Sequence, residues 1–519
     1  FRCGEKGTFK SKTFMGVKMT DLYAKLQNGS DVRGTAIPTD TEAVTITEEM
    51  VVHIAYAFVR FIEEKAGKEA EAVRIGVGYD SRLTSESFAQ ACLRGIELGG
   101  ARAVLCGLVS TPSMFMSTKF GETDFDGAMM VTASHLPFNR NGLKFFSREA
   151  GVEKSDIREI LETAARVKLP NTWEVENCEK ADLIGCYTRH IVSLIKKEVH
   201  ATDYDKPLQG LHIVVDAGNG ACGFFASRIL VPLGADVSGS QYLQPDGHFP
   251  NHIPNPEDKE AIASLQACVL TNRADMGIIF DCDGDRSAVV FADGREVNRN
   301  RLIALMAAIL SEKYVASTVV TDSVTSDGLT RFLEEQLGMH HHRFKRGYKN
   351  VINEAIRLNE EGQETCLAIE TSGHGALKEN YFSDDGAYMA TLILCALAKK
   401  RREGKDLSDL IRDLQEPAES VEHRLSIRAE DFRAYGRQIL KELAEFVERT
   451  EGFVLAMPNH EGVRVNFQCD GIKGWCLLRL SLHDPILPLN IETEQEGGTD
   501  YIYRRLKEFL GAYQELELP

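Results

Sequence analysis

The sequence lacks any apolar run long enough to cross a membrane. Its longest apolar stretches, residues 302–310 and 389–398, stop well short of the ~20 residues that span a bilayer, and we predict that both are buried helices. The twelve cysteines form no CxxC pair and show no regular spacing. This pattern predicts reduced thiols in a cytoplasmic protein, with neither a disulfide framework nor a zinc site.

Positive charge is also scarce. The chain has 60 Lys and Arg against 77 Asp and Glu, which gives a net charge of −17. Such a balance repels a phosphate backbone and excludes non-specific nucleic-acid binding. The same average would repel a small anionic substrate, so any phosphate chemistry must gather its cations at a few places. Nothing in the composition indicates an oligomeric state.

Two short segments are predicted to have no catalytic role. The only histidine run, residues 340–342, is expected to be an exposed loop, because adjacent residues rarely converge on one metal. Residues 1–18 start without Met, are basic and lack the apolar segment of a secretory signal. We expect an upstream remnant with Met19 as the natural start, and a transit-peptide remnant is the alternative.

The length of 519 residues predicts three or four domains, at roughly 100 to 200 residues each. Residues 73–82, 211–220 and 317–328 share one plan: an apolar strand, a turn with Asp and small residues, then a helical pattern with Ser85 as a first N-cap. Near-continuous apolar strands of this kind are buried on both faces of an α/β sheet. After residue 422 a helix over 429–450 precedes alternating runs that predict antiparallel strands, so a smaller α+β domain ends the chain.

The first loop with candidate chemistry spans residues 126–146. A predicted strand over 127–131 leads to Ser134 and His135, which places a hydroxyl at a strand end, where α/β proteins bind ligands. An ordinary Ser/Thr turn is the alternative. The adjoining His135 and the later Lys144, which could neutralise an anion, favour a functional loop.

The second loop, residues 278–289, carries Asp281, Asp283 and Asp285 directly after an apolar strand, with Arg286 closing it. In extended backbone the three carboxylates would face one side and repel one another. Mg²⁺ or another hard cation would resolve that conflict, because such ions prefer oxygen ligands. A solvated acidic turn is the alternative.

Two further loops offer polar side chains. In residues 367–380, Glu370 ends an apolar strand, and Ser372 and His374 follow as groups that suit a polyol; a plain Ser/Gly turn is the alternative. In residues 475–492, Arg479 and Ser481 share one face of a predicted strand near His483 and could grip a phosphate. The neighbouring prolines and leucines equally suit an apolar turn.

Taken in order, these loops resemble those of the α-D-phosphohexomutases, which include phosphomannomutases, phosphoglucomutases and phosphoglucosamine mutases. SDVRG at 30–34, GYDSR at 78–82 and STP at 110–112 add to the resemblance, which covers nearly the whole chain from about Leu22. It implies three similar α/β/α domains plus a smaller C-terminal α+β domain around a central cleft. With the polar joints near residues 200, 298 and 418, it gives expected domains at 19–200, 201–298, 299–418 and 419–519.

The resemblance also implies an activity, namely exchange of hexose 1-phosphate and hexose 6-phosphate through a phosphoserine and a hexose 1,6-bisphosphate. The bisphosphate would serve as both intermediate and activator, Mg²⁺ as the metal, and a small phosphosugar as the only expected partner. The implied catalytic residues are Ser134, His135, Lys144, Arg33 and Arg286; the implied metal ligands are Ser134, Asp281, Asp283 and Asp285; the implied substrate residues are Lys349, Glu370, Ser372, His374, Arg479, Ser481 and His483.

One loop departs from the family pattern. Where the family usually reads close to RPSGTEPKIR, this chain reads RLSLHDPILP, so Leu482 and His483 replace Gly and Thr and Pro488 replaces the second Arg. Leu resists the positive φ that Gly accepts, which would limit backbone donation to phosphate, and His483 could compensate as a donor. The favoured hypothesis is an active mutase on glucose or mannose phosphates. The alternatives are a non-catalytic relative that binds a sugar phosphate or protein partner, and a phosphoglucosamine mutase.

Overall fold

A computed structural model describes residues 19–149, 151–170, 178–481 and 484–519. Residues 1–18, which we expected to be an upstream remnant, lie outside the described residues. By its contacts the chain divides into two units: residues 1–186 with 246–248, and residues 187–245 with 249–519. The helix Leu183–Val199 contains the boundary between them.

The first unit is built on one mixed sheet of seven strands. Four strands on one side of the sheet are mutually parallel, and the three strands on the other side run antiparallel to their neighbours. In spatial order the strands are Gln27–Asn28, Asp31–Thr35, Arg140–Ser147, Gly127–Val131, Arg74–Tyr79, Arg102–Leu108 and Glu179–Lys180. The helices are Met19–Ala24, Glu48–Ala66, Ser85–Leu98, Thr111–Met116 and Lys154–Arg166.

The core of this unit explains why its strands read as apolar runs. The strand Gly127–Val131 is buried at every position, and Arg74–Tyr79 is buried at all four inner positions. Helix Glu48–Ala66 begins at Thr47, whose Oγ1 accepts the N–H of Met50. Helix Ser85–Leu98 begins one residue earlier than expected: Thr84 is the N-cap residue, so the prediction for Ser85 was wrong by one position. Ser85 instead donates its hydroxyl to Asp80 at 2.6 Å.

The second unit holds three sheets, the first two of which are small α/β arrangements. One has the order Glu296–Val297, Ser287–Phe291, Met276–Phe280 and Ile213–Asp216, with only the last two strands parallel. The other has the order His340–Arg343, Thr318–Thr321, Thr365–Ile369 and Gly375–Leu377, with the first three parallel. Their α-helices are Lys259–Asn272, Arg299–Ser311, Asp327–Arg331, Tyr348–Glu360 and Gly386–Arg402; Phe225–Leu230 and Phe332–Gln336 are π-helical.

The last sheet is antiparallel throughout and ends the chain. Its strands are ordered Phe453–Leu455, Val463–Cys469, Ile472–Leu478, Ile486–Thr493, Glu419–Ile427 and Leu516–Glu517. Helices Phe432–Glu448 and Gly498–Leu510 bury Ile439, Leu443, Ile502 and Leu506 in one core with the inward side chains of that sheet. The predicted smaller α+β domain is therefore confirmed, and with it the fold class of three α/β/α domains plus one.

The histidine run was predicted wrongly. Residues 340–343 form an edge strand rather than an exposed loop, and only His340 among the three histidines is exposed. Both ring nitrogens of His341 bond hydroxyls, Nε2 to Thr321 and Nδ1 to Thr330, each at 2.8 Å. Burial of the ring and the nearby Arg343 lower the pKa of His341 well below its usual value, so the ring is neutral and both of its nitrogens are hydrogen-bonded.

Two predictions of absence concern cysteines and membranes. All eleven cysteines within the described ranges are free thiols, and seven of them are buried: Cys92, Cys222, Cys268, Cys282, Cys366, Cys395 and Cys476. Across the same ranges, no helix combines the length and the apolar character that crossing a membrane requires. The two apolar stretches lie within the helices Arg299–Ser311 and Gly386–Arg402, as expected.

Candidate active site

The Ser134 loop lies at the end of strand Gly127–Val131 in the first unit. Ser134 is buried, and its backbone is left-handed at φ 51°. A non-glycine residue held there costs about 1–3 kcal/mol, and such strain clusters at functional sites. The Ser134 N–H donates to Thr132 Oγ1 at 2.9 Å, and Ser134 Oγ lies 3.3 Å from Nδ1 of His135. The structure therefore brings the predicted residues Ser134 and His135 into hydrogen-bond contact.

Arg33 and Lys144 lie on neighbouring antiparallel strands of the same unit. Arg33 pairs with Gly142, and Lys144 is two residues further along that strand. Paired residues, and residues two apart on a strand, point to one face of a sheet, so the two cations share a face. Lys144 also pairs with Met130, on the strand that leads to Ser134, and Arg33 forms an ion pair with Asp31 at 2.8 Å.

The metal loop, residues 281–286, follows strand Met276–Phe280 in the second unit. Its backbone is a tight turn with Gly284 at φ 77° rather than extended chain. The turn still gathers one oxygen each from Asp281, Asp283 and Asp285 within 4.8 Å of one another, and all three residues are buried. The three predicted aspartates thus converge within this turn.

The donor set fits a hard divalent cation. Burial, then Asp285 and Asp283, raise the pKa of Asp281 well above its usual value. Arg286 is the cation beside them, with Nε 3.1 Å from Asp281 and 3.8 Å from Asp285, and one guanidinium leaves three clustered carboxylates with excess negative charge. A bound ion with oxygen preference would relieve this repulsion. Ser134, the remaining predicted ligand, belongs to the first unit, and its part in metal binding stays a prediction.

The backbone of the second sheet supports this loop closely. Gly220 lies against Cys282: a Cβ at Gly220 would sit 2.5 Å from the Cys282 carbonyl oxygen and 2.7 Å from its Cα. The adjacent Ala221 N–H donates to that same carbonyl at 2.8 Å. The DAGNG turn after strand Ile213–Asp216 therefore needs glycine at 220, because the metal loop occupies the space of a side chain.

The sugar loop, residues 370–375, follows strand Thr365–Ile369. Glu370 is buried and accepts the Gly347 N–H at 2.6 Å, and Ser372 Oγ lies 3.5 Å from Glu370. Burial and the nearby Asp322 raise the pKa of Glu370 to about 7. Lys349 lies in the first turn of helix Tyr348–Glu360, which begins directly after Gly347.

His374 links the sugar loop to the metal loop. Its Nδ1 lies 2.5 Å from Asp384 and 3.9 Å from Asp285, and its backbone forms a bridge with Arg286. Burial alone would lower the pKa of His374, but Asp384 and Asp285 outweigh it and raise the pKa to about 9. The ring of Tyr348 stacks on His374 with centroids 5.2 Å apart. The predicted residues Arg286 and His374 therefore meet within one unit.

The distal loop begins where strand Ile472–Leu478 ends, so Arg479 and Ser481 lie beyond the strand that was predicted to contain them. Backbone bonds from Arg479 to Pro488 and from Ser481 to Ile486, both 3.1 Å, hold the loop as a hairpin end. Within the described ranges Arg479 Nε is buried and has no hydrogen-bond acceptor. His483 falls outside the described residues.

Sequence reasoning missed three residues around these loops. The Arg346 guanidinium lies 3.6 Å from Asp322, and the Arg346 backbone N–H donates to the Glu461 carboxylate at 3.3 Å. Burial and the charge of Arg346 together lower the pKa of Arg479, so Arg346 and Arg479 are neighbours. Arg346 directly precedes the glycine of RGYKNVI, so its place in that motif was a usable signal. No signal pointed to Glu461.

Arg82 is the third. Its guanidinium pairs with Asp80 at 3.1 Å with both side chains at 0% exposure, and it reaches into the Ser134 loop. The motif GYDSR contains both Asp80 and Arg82, but the sequence of the motif does not indicate which groups Arg82 contacts.

Three family models match the chain in succession. They describe the α/β/α domains I, II and III of phosphoglucomutase/phosphomannomutase, and match residues 24–170, 186–294 and 298–417. The chain belongs to the phosphoglucomutase/phosphomannomutase family. The resemblance drawn from the motifs is thereby confirmed, and family membership agrees with a buried aspartate triad that can hold a metal ion.

Relatives match over nearly the full length. A phosphoglucomutase of Neisseria gonorrhoeae is 28% identical over 96% of this chain and 100% of its own. A phosphomannomutase/phosphoglucomutase of Pseudomonas syringae is 29% identical over 82% of this chain and 85% of its own. A crystal structure of a phosphoglucomutase/phosphomannomutase family protein from Burkholderia thailandensis matches with a TM-score of 0.76 and 25% identity, covering 96% of this chain and 98% of that one.

Proposed function

We propose that the protein is a phosphohexomutase that interconverts the 1-phosphate and 6-phosphate of a hexose, with glucose and mannose as the leading sugars. The observation that carries the proposal is Ser134, a buried hydroxyl fixed in left-handed backbone at a strand end. Phosphoryl transfer needs alignment and neutralised charge more than covalent machinery. In this family member the serine would provide the alignment, and a cation bound to the buried aspartate triad would neutralise the charge.

In the proposed reaction, phosphorylated Ser134 gives its phosphoryl group to O1 of a hexose 6-phosphate or O6 of a hexose 1-phosphate. The Oγ–P bond breaks, the sugar O–P bond forms, and the hydroxyl proton leaves, with Lys144 as the candidate to handle it. The hexose 1,6-bisphosphate then turns around and returns its other phosphoryl group to Ser134. His135, in contact with Oγ, and Arg33 would neutralise phosphoryl oxygens.

The metal proposal is Mg²⁺ on Asp281, Asp283 and Asp285, with the Ser134 oxygen as a further ligand. When bound, the cation would neutralise charge on the transferring group. Arg286 holds Asp281 in place through its Nε, and the N–H groups of Gly284 and Arg286 donate to Asp281 Oδ1 at 3.0 and 3.2 Å. These bonds orient one carboxylate before any ion binds.

Substrate recognition is proposed to divide between two groups of residues. Glu370, Ser372 and His374 would bind sugar hydroxyls, with Lys349 beside them. Arg479, Ser481 and His483 would hold the phosphate that is not transferred, and the buried Arg479 Nε supports this because it offers an unused donor among the described residues.

The domain limits are proposed at 19–200, 201–298, 299–418 and 419–519, each range containing one of the four sheets. We also place the protein in the cytoplasm, and the free cysteines support a reducing compartment.

Incubation with glucose 1-phosphate, Mg²⁺ and a trace of glucose 1,6-bisphosphate tests the proposal. We expect glucose 6-phosphate to form and intact mass to show one phosphate that Ser134→Ala loses together with turnover, while circular dichroism stays unchanged. Absence of both conversion and phosphoserine would reject the enzyme. Substantial turnover by Ser134→Ala would reject the assigned nucleophile.

Two other functions each rest on one observation. The altered distal loop, RLSLHDPILP, favours a non-catalytic relative that binds a sugar phosphate or protein partner. A phosphoglucosamine mutase of Chromohalobacter salexigens, 29% identical over 89% of this chain and 94% of its own, favours an amino sugar. Comparing kcat/KM for glucose, mannose and glucosamine 1-phosphates separates the sugars, because a missing hydrogen bond to a substrate group is strongly discriminated.

A further inference from the structure

We propose that Arg82 is a positioning residue: its guanidinium fixes the backbone of the Ser134 loop so that the serine hydroxyl points in one direction. The inference rests on the proposed function, since it assigns a role in the transfer from Ser134. The five side-chain N–H groups of Arg82 bond main-chain carbonyls and one carboxylate, so Arg82 would act on the transfer through the loop.

Every N–H of the Arg82 side chain has an acceptor. Nε donates to Asp80 at 3.1 Å, and Nη1 donates to the carbonyls of Pro137 and Arg140 at 2.9 and 3.1 Å. Nη2 donates to the carbonyls of Ser134 and Leu136, the latter at 2.7 Å. An arginine has five N–H donors, so the full set is committed, and four of the five bonds end on the loop that carries the serine.

Arg82 is itself held rigidly. Its partner Asp80 accepts the Arg82 N–H at 3.1 Å and the Ser85 hydroxyl at 2.6 Å, and the Asn141 amide donates to that hydroxyl at 3.1 Å. The turn is also covered by Gly247, where a Cβ would lie 2.5 Å from the Leu83 nitrogen. Because Asp80 and its neighbours hold the Arg82 guanidinium in one position, the carbonyls of residues 134–140 that bond it are held in position as well.

The consequence falls on Ser134. Its left-handed backbone is held at both ends of the residue, by Thr132 on the N–H and by Arg82 on the carbonyl. With both flanking peptide groups fixed, the direction of the Cα–Cβ bond is fixed as well. Lysine at position 82 could not reproduce this, because an ammonium has three donors on one atom and no planar fork.

The test compares Arg82→Lys with wild type and with Arg74→Lys. Arg74 begins the strand that Arg82 follows, and its guanidinium bonds the Thr123 carbonyl and Glu179 instead of the carbonyls of residues 134–140, so it serves as the control arginine. We expect Arg82→Lys to lower kcat about 100-fold, as for a reacting group displaced by about 1 Å, with KM for glucose 1-phosphate within about threefold. Phosphorylation of Ser134 by glucose 1,6-bisphosphate, followed by intact mass, should slow in parallel. Arg74→Lys should leave kcat near wild type even where it lowers Tm.

Ser85→Ala provides a milder variant that removes one bond to Asp80 and keeps Arg82. We expect a threefold to tenfold loss of kcat without a change in KM, and this variant decides the matter if Arg82→Lys does not fold. A folded Arg82→Lys, or failing that a folded Ser85→Ala, with wild-type kcat overturns the inference while the mutase stands. A wild-type protein with neither turnover nor phosphoserine overturns the proposed function and this inference together.

Discussion

Replacing Asp283 with asparagine tests whether the three buried carboxylates form a cation site, without relying on activity. Asp283 is the better choice because Asp281 also accepts bonds from the loop backbone. Two charges at the observed limit of 4.8 Å repel by about 3.5 kcal/mol at an effective dielectric constant of 20. Asparagine keeps the shape and removes two such pairs, about 7 kcal/mol of repulsion before any offset.

The realised gain will be smaller, because Arg286 offsets part of the repulsion and the raised pKa of Asp281 permits proton uptake. We expect the variant in EDTA to be more stable than wild type by roughly 1–3 kcal/mol, at about 2–4 °C of Tm per kcal/mol. In Mg²⁺ this lead should shrink to about zero or reverse, because wild type gains about 2.7 kcal/mol at an ion concentration of 100 Kd while the variant loses most of that gain.

The assay is thermal unfolding followed by circular dichroism, in EDTA and in Mg²⁺. Asp216→Asn is the matched control, since Asp216 is equally buried in the same sheet but bonds Gly218, Gln241 and His252 instead of another carboxylate. It should lower Tm in both buffers and keep the Mg²⁺ response. If Asp283→Asn lowers Tm in EDTA and keeps the wild-type Mg²⁺ shift, the aspartates are an ordinary structural turn and the metal assignment is refuted.

Three other changes probe the second unit. Burial raises the pKa of Glu492 to about 7, so the folded state keeps a proton that the unfolded chain loses near 4.5, and stability should fall as pH rises from about 5 to 8. Trp475 donates to Glu492, so Trp475 fluorescence in a Trp173→Phe background should titrate near 7. Glu492→Gln should flatten both the stability profile and the fluorescence titration. Arg464→Met should lower the free energy of unfolding by about 3–5 kcal/mol, measured with denaturant, because it removes a buried cation. That cation bonds Ser323, Thr325 and Asp327 and lies 3.6 Å from the centre of the Trp475 ring. A loss under 1 kcal/mol would contradict this. Gly220→Ala should abolish the Mg²⁺-induced rise in Tm by displacing the Cys282 backbone, and an unchanged rise would show that the loop can adapt.

The strands and the loops that follow them could be predicted because their signals are local. An apolar run that ends in Asp or Ser marks both the strand and the loop at its end, and the strand 127–131 was placed correctly at both limits. The aspartate triad was found for the same reason, since three like charges within five residues conflict in almost any backbone.

What could not be predicted depends on partners far along the chain. His341 reads as polar and exposed, yet Thr321 and Thr330 satisfy its ring inside the sheet. Arg82 reads as part of an ordinary turn, yet its acceptors are carbonyls of residues 134–140, and main-chain carbonyls leave no trace in the sequence.

Four of the buried free cysteines can report on the opening of the four sheets, because each lies beside a different sheet. Cys92, Cys222, Cys366 and Cys476 are buried beside four different sheets, and burial raises the pKa of every one of these thiols. A buried protonated thiol does not react with an alkylating reagent until its surroundings open. Pulsed alkylation with peptide mass analysis would therefore time the opening of each domain separately in the unaltered protein, and show which domain a bound sugar phosphate holds closed.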